Sequence, residues 1–274
     1  MSKVTASIVL FNTPIETIGR LLDCLILSGV CNDIYIVDHS PIPIDLSSYY
    51  GVNNLHIILN GNVGFGGGHN IVLNMITGTS DFHFILNPDI YFEPSMLSIM
   101  LDRIEGDERV GLLIPKILFP NGRLQYSCRL LPSPLNLFIR RFNLFFPRSI
   151  VERVDHHYEL RDTNYDGEMN PPVLSGCFLL ARMTTLKQVN FFDERFFMYL
   201  EDVDLCRRMH GISKTIFYPD AVVYHEHAKS SFQNIKMLTF HILSTIKYFN
   251  KWGWFLDKDR VKVNKKFLSK FLQD

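Results

Sequence analysis

The chain has 274 residues, of which 47% are hydrophobic and 20% are charged, and this composition excludes an intrinsically disordered protein. Its 28 Lys and Arg residues balance 28 Asp and Glu residues, so the total charge gives no reason to expect nucleic acid as a partner.

The five cysteines show no C-x-x-C spacing, which indicates free thiols in a reducing compartment rather than a disulfide or zinc framework. The N-terminal residues do not resemble a signal peptide, and no run of about 18 apolar residues predicts a membrane-spanning helix. We therefore expect a cytoplasmic protein whose contact with a membrane is at most peripheral.

Short apolar runs predict strands at residues 4–11, 33–38, 56–59 and 82–86, and apolar residues at helical spacing predict a helix at 15–28. Strands that are apolar throughout and separated by helices predict a mostly parallel sheet covered on both faces. Ligands of such sheets bind beyond the carboxyl ends of the strands. The polar residues that follow each strand are therefore the first candidates for a functional site.

A glycine-rich turn at residues 61–68 precedes a predicted helix at 69–75. Glycine lets a ligand approach the main chain closely, and the free N–H groups at the start of a helix can receive negative charge. The run is neither a dinucleotide fingerprint nor a P-loop, because it lacks their spacing and the Gly-Lys-Ser/Thr ending. A flexible surface loop is the alternative interpretation.

Two aspartates follow predicted strands. Asp38 could accept a hydrogen bond from a nucleobase, and an ordinary turn aspartate is the alternative. Asp89 follows Asn87 and Pro88, and the proline prevents the preceding strand from continuing. Mg²⁺ or Mn²⁺ binds a few carboxylates together with phosphate oxygens, so Asp89 is a candidate metal ligand beside a diphosphate. A plain Asn-Pro turn is the alternative there.

Three carboxylates, Glu201, Asp202 and Asp204, lie at the start of a predicted helix, after the aromatic run at 196–199. Such a carboxylate could deprotonate a sugar hydroxyl, and the aromatic run could stack on a sugar. Acidic residues also stabilise the start of a helix through its dipole, so a capping role is the alternative.

His225 and His227 follow a predicted strand at 221–224. The pair does not predict zinc, because no further Cys or His stands at ligand spacing. We expect His225 to face a metal or a diphosphate, and His227 to have a supporting or structural role.

Residues 119–172 change in character and are predicted to form an acceptor-side, membrane-proximal insertion in a catalytic domain that spans 1–231. Within this insertion, 129–148 mixes arginines with bulky apolar residues, and the acidic stretch 155–168 is predicted to be a loop. Residues 232–274 predict an amphipathic helical tail, whose two tryptophans at 252 and 254 suit an interfacial anchor. A helix packed on the catalytic core is the alternative.

Taken in order, these motifs resemble the family 2 glycosyltransferases, within the rhamnosyltransferase-like group that builds bacterial O-antigen and other surface polysaccharides. The resemblance covers residues 4–231 and is carried by 7–12, 37–38, 62–70, 86–89, 175–180, 192–205 and 218–225. It implies an α/β GT-A fold, with a Rossmann-like, mixed and mostly parallel sheet flanked by helices. It also implies single-displacement transfer that inverts the anomeric centre.

The resemblance further implies roles for individual residues. Asp202 would be the catalytic base, with Glu201 beside it. Asp89 would be the last position of a DxD-type motif, and Asn87 at the first position leaves the metal one carboxylate short. The metal, Mg²⁺ or Mn²⁺, would be held by Asp89 and His225. The implied donor-binding residues are Phe11, Asn12, Asp38, Asn62, Gly64, Phe65, Gly66, Asn70, Asn87 and Asp89.

The implied donor is dTDP-L-rhamnose, with a UDP-sugar as the alternative. The implied acceptor is a polyprenyl-diphosphate-linked GlcNAc or oligosaccharide at the inner face of the cell membrane, and the oligomeric state is left open. Nucleotidyl transfer is disfavoured, because residues 11–14 lack a glycine-rich basic loop after the first strand. A decayed nucleotide-sugar-binding protein is a further alternative, against which Asp89, Glu201 and Asp202 argue.

Overall fold

The computed structural model describes residues 2–226 and 235–271. The strands are β1 Val4–Leu10, β2 Asp33–Asp38, β3 Leu55–Leu59, β4 Phe82–Leu86, β5 Ile90–Tyr91, β6 Val110–Leu118, β7 Cys128–Arg129, β8 Val173–Leu174, β9 Phe178–Arg182 and β10 Lys214–His225. The α-helices are α1 Ile15–Ser28, α2 Phe65–Ile76, α3 Met96–Glu105, α4 Pro134–Arg141, α5 Arg148–Tyr158, α6 Met183–Gln188, α7 Glu201–His210, α8 Ile235–Trp252 and α9 Lys258–Phe271.

The main sheet has the strand order β3-β2-β1-β4-β9-β6-β10-β5. Strands β3, β2, β1 and β4 are parallel, as are β6 and β10, whereas β9 runs antiparallel to both of its neighbours. The predicted mixed, mostly parallel sheet is thus confirmed. Because the carboxyl ends of the parallel strands share one edge, the segments after β1, β2 and β4 lie side by side.

Helix α1 illustrates how the pattern of the sequence produces the layers. Ile18, Leu21, Leu22 and Leu25 recur at helical spacing and are fully buried against the sheet. The helix ends at Gly29, whose φ of 63° is the left-handed conformation that closes many helices.

The glycine-rich run 61–68 was predicted as a turn; residues 61–64 do lie outside any helix, but the second half of the prediction is wrong, because α2 already begins at Phe65. Its glycines serve close packing within a helix. A Cβ on Gly66 would lie 2.9 Å from the Cβ of Phe192, and one on Gly68 would lie 2.7 Å from Cγ2 of Val9. The absent side chains therefore let α2 lie against β1 and the segment before α7.

The acidic stretch 155–168 was predicted as a loop, and its first part instead belongs to α5. Arg140 on α4 explains the difference, because it pairs with Asp155 and, at 2.8 Å, with Glu159. These ion pairs neutralise the carboxylates and join α4 to the end of α5.

Helix α8 packs one face on the rest of the protein, where Tyr248 and Phe249 are fully buried. Arg207 of α7 and Asp257, just before α9, form a buried bidentate pair with both distances at 2.7 Å. Trp252 donates through Nε1 to Asp204 at 2.8 Å, so it anchors the tail to the core rather than to a membrane, contrary to the prediction.

Residues 227–234 lie outside the described residues, and with them His227 and the first positions of the predicted tail. Among the helices that are described, none is both long and apolar enough to cross a membrane.

Candidate active site

Asp89 and His225 form a pair at the edge of the sheet. Asp89 directly precedes β5, and Ile90 of β5 lies opposite His225 in the antiparallel pairing with β10. This register places Oδ1 of Asp89 3.2 Å from Nε2 of His225. The Asp89 carbonyl also accepts a hydrogen bond from the N–H of Glu226 at 2.9 Å, which fixes the end of β10 against the turn.

His225 is held by further contacts. Nδ1 lies 3.0 Å from Oε1 of Gln125, and Nε2 of Gln125 donates to the His225 carbonyl at 2.9 Å. Burial opposes a charge on the imidazole, but the neighbouring Cys177 and Asp89 outweigh it and raise the pKa of His225 to about 10. The imidazolium therefore forms an ion pair with Asp89 in the absence of a metal, and coordination would release its proton.

The chemistry of this pair fits a divalent cation that arrives with a diphosphate. No group of three or more His, Cys, Asp or Glu side chains within 2–226 and 235–271 could hold a metal ion. One carboxylate and one imidazole are consistent with Mg²⁺ or Mn²⁺ when phosphate oxygens and water complete the coordination. Asn87 donates its backbone N–H to the Cys177 carbonyl at 2.9 Å, which ties the turn after β4 to the segment before β9.

The short segment 175–177 connects the pair to Asp202. The N–H of Gly176 donates to Oδ2 of Asp202 at 3.1 Å, while the next residue, Cys177, accepts from Asn87 and contacts His225. A Cβ on Gly176 would lie 3.0 Å from the Cβ of Asp202, so glycine lets the segment close on α7. The candidate metal ligands and the candidate base are therefore joined through one short segment.

Helix α7 starts with an unusual backbone that sets the direction of its first side chains. Tyr199 and Leu200 have φ values of 70° and 65°, a conformation that costs energy for residues other than glycine. Directly after them, Asp202 also accepts a hydrogen bond from the N–H of Val203 at 2.8 Å.

Glu201 and Asp202 have different environments. Glu201 is buried and its Oε2 makes no hydrogen bond to any residue that the structure describes. Burial, and then the charge of Asp202, raise the pKa of Glu201 to about 8. Burial therefore disfavours the ionised form of Glu201, whereas the Asp202 carboxylate accepts two backbone N–H groups and is the candidate for accepting a proton.

A cleft of about 530 Å³ lies beyond the ends of β1, β2 and β3. Three of the predicted donor-binding residues, Phe11, Asp38 and Asn62, line it. Phe11 exposes half of its surface, which leaves a ring face for stacking. Both carboxylate oxygens of Asp38 accept backbone N–H groups, from Ser40 and Ile44 at 2.9 Å each, so Asp38 shapes the loop that forms the wall of the cleft.

No protein-family model matches the chain. The N-acetylglucosaminyl-diphospho-decaprenol L-rhamnosyltransferase of Mycobacterium tuberculosis is 33% identical over 153 residues, which are 55% of this chain and 48% of that protein. The rhamnosyltransferase WbbL of Escherichia coli (strain K12) is 28% identical over 222 residues, 78% of this chain and 77% of that protein. The chain thus spans about half the length of the mycobacterial relative.

Solved structures give the fold. GalNAc-T7 with UDP, GalNAc and Mn²⁺ superposes with a TM-score of 0.68 at 13% identity, over 94% of this chain and 49% of that one. The mannosyltransferase PcManGT from Pyrobaculum calidifontis, in complex with GDP-Man and Mn²⁺, gives a TM-score of 0.57 at 13% identity, over 99% and 75% of the two chains. The chain has a GT-A fold and is rhamnosyltransferase-like in sequence.

Within this GT-A fold, several predicted donor residues make structural contacts. The amide of Asn70 donates to the Phe192 carbonyl at 2.9 Å and accepts the Phe192 N–H at 3.0 Å, so it bridges two segments. Gly64 has a φ of 86°, and a Cβ there would lie 2.1 Å from the Phe197 carbonyl oxygen. Phe65 and Gly66 pack against Phe192. These residues therefore pack α2 and its N-terminus against the segment 192–197.

Two other predicted residues also have internal partners. The N–H of Asn12 donates to Oγ of Ser40 at 2.8 Å, which connects the loops after β1 and β2. Asp204, the third acid of the α7 cluster, is fully buried and pairs with Arg208 at 2.8 Å and Lys251 at 2.7 Å. Asp204 thus joins α7 to α8 and cannot reach a substrate.

The sequence did not predict the partners of His225. Gln125 stands in the segment assigned to the acceptor side, and no local pattern singles it out. Cys177 lies within the matched motif 175–180, but its type alone indicated a free thiol. Both contacts arise from pairing between segments that are far apart in the chain.

Proposed function

We propose that the chain is an inverting glycosyltransferase that uses a nucleotide-diphosphate sugar. The observation that carries this proposal is the segment 175–177, which holds Asp202 on one side and the Asp89–His225 pair on the other. A leaving diphosphate and an attacking hydroxyl must lie on opposite sides of the anomeric carbon, and this arrangement supplies a group for each. The names of the relatives support the same class of reaction.

In the proposed reaction, Asp202 accepts the proton of the acceptor hydroxyl as its oxygen attacks the anomeric carbon. The hydrogen bonds from Gly176 and Val203 hold the carboxylate in place. Asp89 and His225 would hold Mg²⁺ or Mn²⁺, which would neutralise the charge that develops on the leaving diphosphate. Glu201, protonated and buried, keeps a second negative charge away from Asp202.

We propose dTDP-L-rhamnose as the donor, with a UDP-sugar as the second candidate. The sequence relatives support rhamnose, and the UDP in the GalNAc-T7 structure supports the alternative. The cleft lined by Phe11, Asp38 and Asn62 is large enough for a nucleoside. A ligand that binds only the folded state raises the melting temperature, so a panel of nucleotide sugars with Mn²⁺ or with EDTA identifies the donor.

Slow hydrolysis of the stabilising sugar in Mn²⁺ tests the enzyme class. We expect release of the nucleoside diphosphate from one donor only, and we expect EDTA to prevent it. Binding without hydrolysis or transfer would instead indicate a nucleotide-sugar-binding protein.

We further propose a polyprenyl-diphosphate-linked GlcNAc or oligosaccharide as the acceptor, used in the synthesis of a bacterial surface polysaccharide. The acceptor named for the mycobacterial relative supports this proposal. An acceptor with a polyprenyl chain requires the enzyme to work at a membrane surface, which we place at the inner face of the cell membrane.

An apolar surface suits such peripheral contact. Leu144 and Phe145, between α4 and α5, are 92% and 82% exposed, and Arg141 and Arg148 flank them. Apolar side chains inserted among headgroups, with arginines at their edge, bind anionic bilayers. Phe255 and Leu256 expose 82% and 93% of their surfaces, and together with the exposed Trp254 they are further anchor candidates.

Flotation with anionic liposomes tests this surface. We expect the double variant Leu144→Glu, Phe145→Glu to lose binding that the wild type shows. Leu27→Glu is the matched control, because Leu27 is 74% exposed on α1. Equal flotation of all three proteins would contradict membrane contact through this surface.

A further inference from the structure

Arg129 lies on the strand pair that borders the candidate base. It is the last residue of β7, opposite Val173 of β8. Just beyond β8, the N–H of Ser175 donates to the Ser127 carbonyl at 2.8 Å, and the following residue is Gly176, which binds Asp202. The β7 strand therefore forms the wall of the site on the side of Asp202 that leads to α4 and α5.

The guanidinium of Arg129 lacks a partner within residues 2–226 and 235–271. Its Nε is buried and makes no hydrogen bond, and no ion pair involves its other nitrogens. The hydroxyl of Ser127, two residues earlier and hence on the same side of the strand, is also buried, with only a weak hydrogen bond to the Cys128 thiol. Arg129 is only partly buried, but a guanidinium whose buried Nε makes no hydrogen bond is suited to an anionic ligand.

The neighbouring carboxylates do not form an ion pair with Arg129. Glu159 is already paired with Arg140 and Arg161. Asp202 accepts its hydrogen bonds from Gly176 and Val203. Both lie close enough for their charges to raise the pKa of Arg129 against the opposing effect of burial, and Tyr158 acts in the same direction. Arg129 therefore stays charged, and its fork of donors is available to a ligand.

We propose that Arg129, with Ser127 beside it, binds the diphosphate of a lipid-linked saccharide acceptor. This inference rests on the proposed function. A guanidinium matches the oxygens of a phosphate bidentately, which favours this ligand over a neutral sugar hydroxyl. Since the donor diphosphate leaves on the side of Asp89 and the acceptor enters on the side of Asp202, the charge at Arg129 faces the acceptor.

The surroundings of Arg129 fit the rest of such an acceptor. Helix α4 begins five residues after Arg129 and leads to the exposed apolar side chains of Phe138, Leu144 and Phe145. A saccharide whose hydroxyl reaches Asp202 and whose diphosphate reaches Arg129 would direct its prenyl chain toward this apolar surface. The acceptor would thus be recognised at its charged linkage as well as by its sugar.

The test compares two acceptors that differ only at that linkage. One is GlcNAc joined through a diphosphate to a short prenyl chain, and the other is the prenyl glycoside of GlcNAc without phosphate. The variants are Arg129→Gln and Arg129→Lys, and the control is Arg123→Gln, because Arg123 is exposed in the same segment. Donor hydrolysis and the dissociation constant of the donor are measured for every protein.

We expect the wild type and Arg123→Gln to prefer the diphosphate acceptor in kcat/KM. Arg129→Gln should lower this preference about 10- to 100-fold, the usual effect of a lost charged hydrogen bond. Its donor affinity should not change, and its loss of activity on the prenyl glycoside should be much smaller than its loss on the diphosphate acceptor. Arg129→Lys keeps the positive charge but lacks the paired N–H donors of a guanidinium, and it should lose part of the preference for the diphosphate acceptor. If Arg129→Gln does not fold, the result for Arg129→Lys tests the inference.

Equal losses on both acceptors would show that Arg129 acts through Asp202 or the fold, and they would overturn the inference. An unchanged preference would do the same. Weaker donor binding in Arg129→Gln would assign the residue to the donor diphosphate instead. If the wild type neither hydrolyses nor transfers any sugar, the proposed function itself fails, and this result is distinct from the others.

Discussion

The two sides of the candidate site differ in how their charges are paired. On the donor side, Asp89 and His225 contact each other, and Gln125 holds the imidazole. On the acceptor side, Glu201 and Arg129 each carry a buried polar atom without a hydrogen bond among the described residues. The Asp89–His225 pair is thus held within the protein, whereas Glu201 and Arg129 keep buried polar atoms that a substrate could satisfy.

This difference indicates how the two substrates would be handled. A preformed ion pair can exchange its proton for a metal and a diphosphate without rearrangement of the chain. Unpaired buried groups are destabilising, and enzymes retain such groups where a ligand compensates for the cost. We therefore expect substitutions on the acceptor side to change turnover and pH dependence, and those on the donor side to change metal and nucleotide affinity.

The largest expected effect is that of Asp202→Asn. Loss of a general base typically lowers turnover by about 10²–10⁴-fold, and the amide keeps the size of the side chain. The dissociation constant of the donor, measured by calorimetry in Mn²⁺, should not change, because Asp202 lies on the acceptor side. Asp220→Asn, at an exposed position of β10, is the control. Full turnover by Asp202→Asn would remove it as the base.

Glu201→Gln should alter the pH dependence of stability. The folded-state pKa of Glu201 is raised from 4.5 to about 8, so its contribution is fully present below pH 4.5 and is lost as the pH rises through 8. At about 1.4 kcal/mol per pH unit, the free energy of unfolding should fall by at most ~5 kcal/mol over this window. The glutamine variant cannot ionise and should show a flatter profile in urea titrations at several pH values. Parallel profiles would contradict a buried, protonated Glu201.

These acidic residues also show which features the sequence could predict. Asp89 and Asp202 are candidates from the sequence because each follows a local signal, an Asn-Pro turn after an apolar strand or the start of a helix. The contact between Asn70 and Phe192 could not be predicted in this way, because the two residues are 122 positions apart in the chain. Gln125 and Arg129 were not identified for the same reason. Their environments arise from pairing between distant segments, which no local periodicity encodes.

On the donor side, Asp89→Asn should weaken donor binding in Mn²⁺. Changing even the outer partner of a metal ligand costs about 10- to 100-fold in metal affinity or activity, and loss of a ligand should cost at least as much. In EDTA the variant and the wild type should bind the nucleotide equally, because the cleft at Phe11 and Asn62 is unaltered. An equal loss with and without metal would instead indicate that the turn after β4 has moved.

The smallest expected effect is that of Gln125→Leu. This variant tests whether Gln125 orients the His225 imidazole, while the proposed metal ligands themselves stay unchanged. The Gln125 amide contacts Nδ1 of His225 at 3.0 Å and donates to the His225 backbone carbonyl at 2.9 Å. Leucine has a similar volume to glutamine but makes neither hydrogen bond, so the imidazole would be free to rotate. We expect the Mn²⁺ concentration for half-maximal activity to rise about 10-fold, with turnover at saturating metal largely preserved. Gln125→Glu should restore part of the affinity, because a carboxylate can still accept from Nδ1. If both variants behave like the wild type, His225 is positioned by its strand, Asp89 and Cys177 without Gln125.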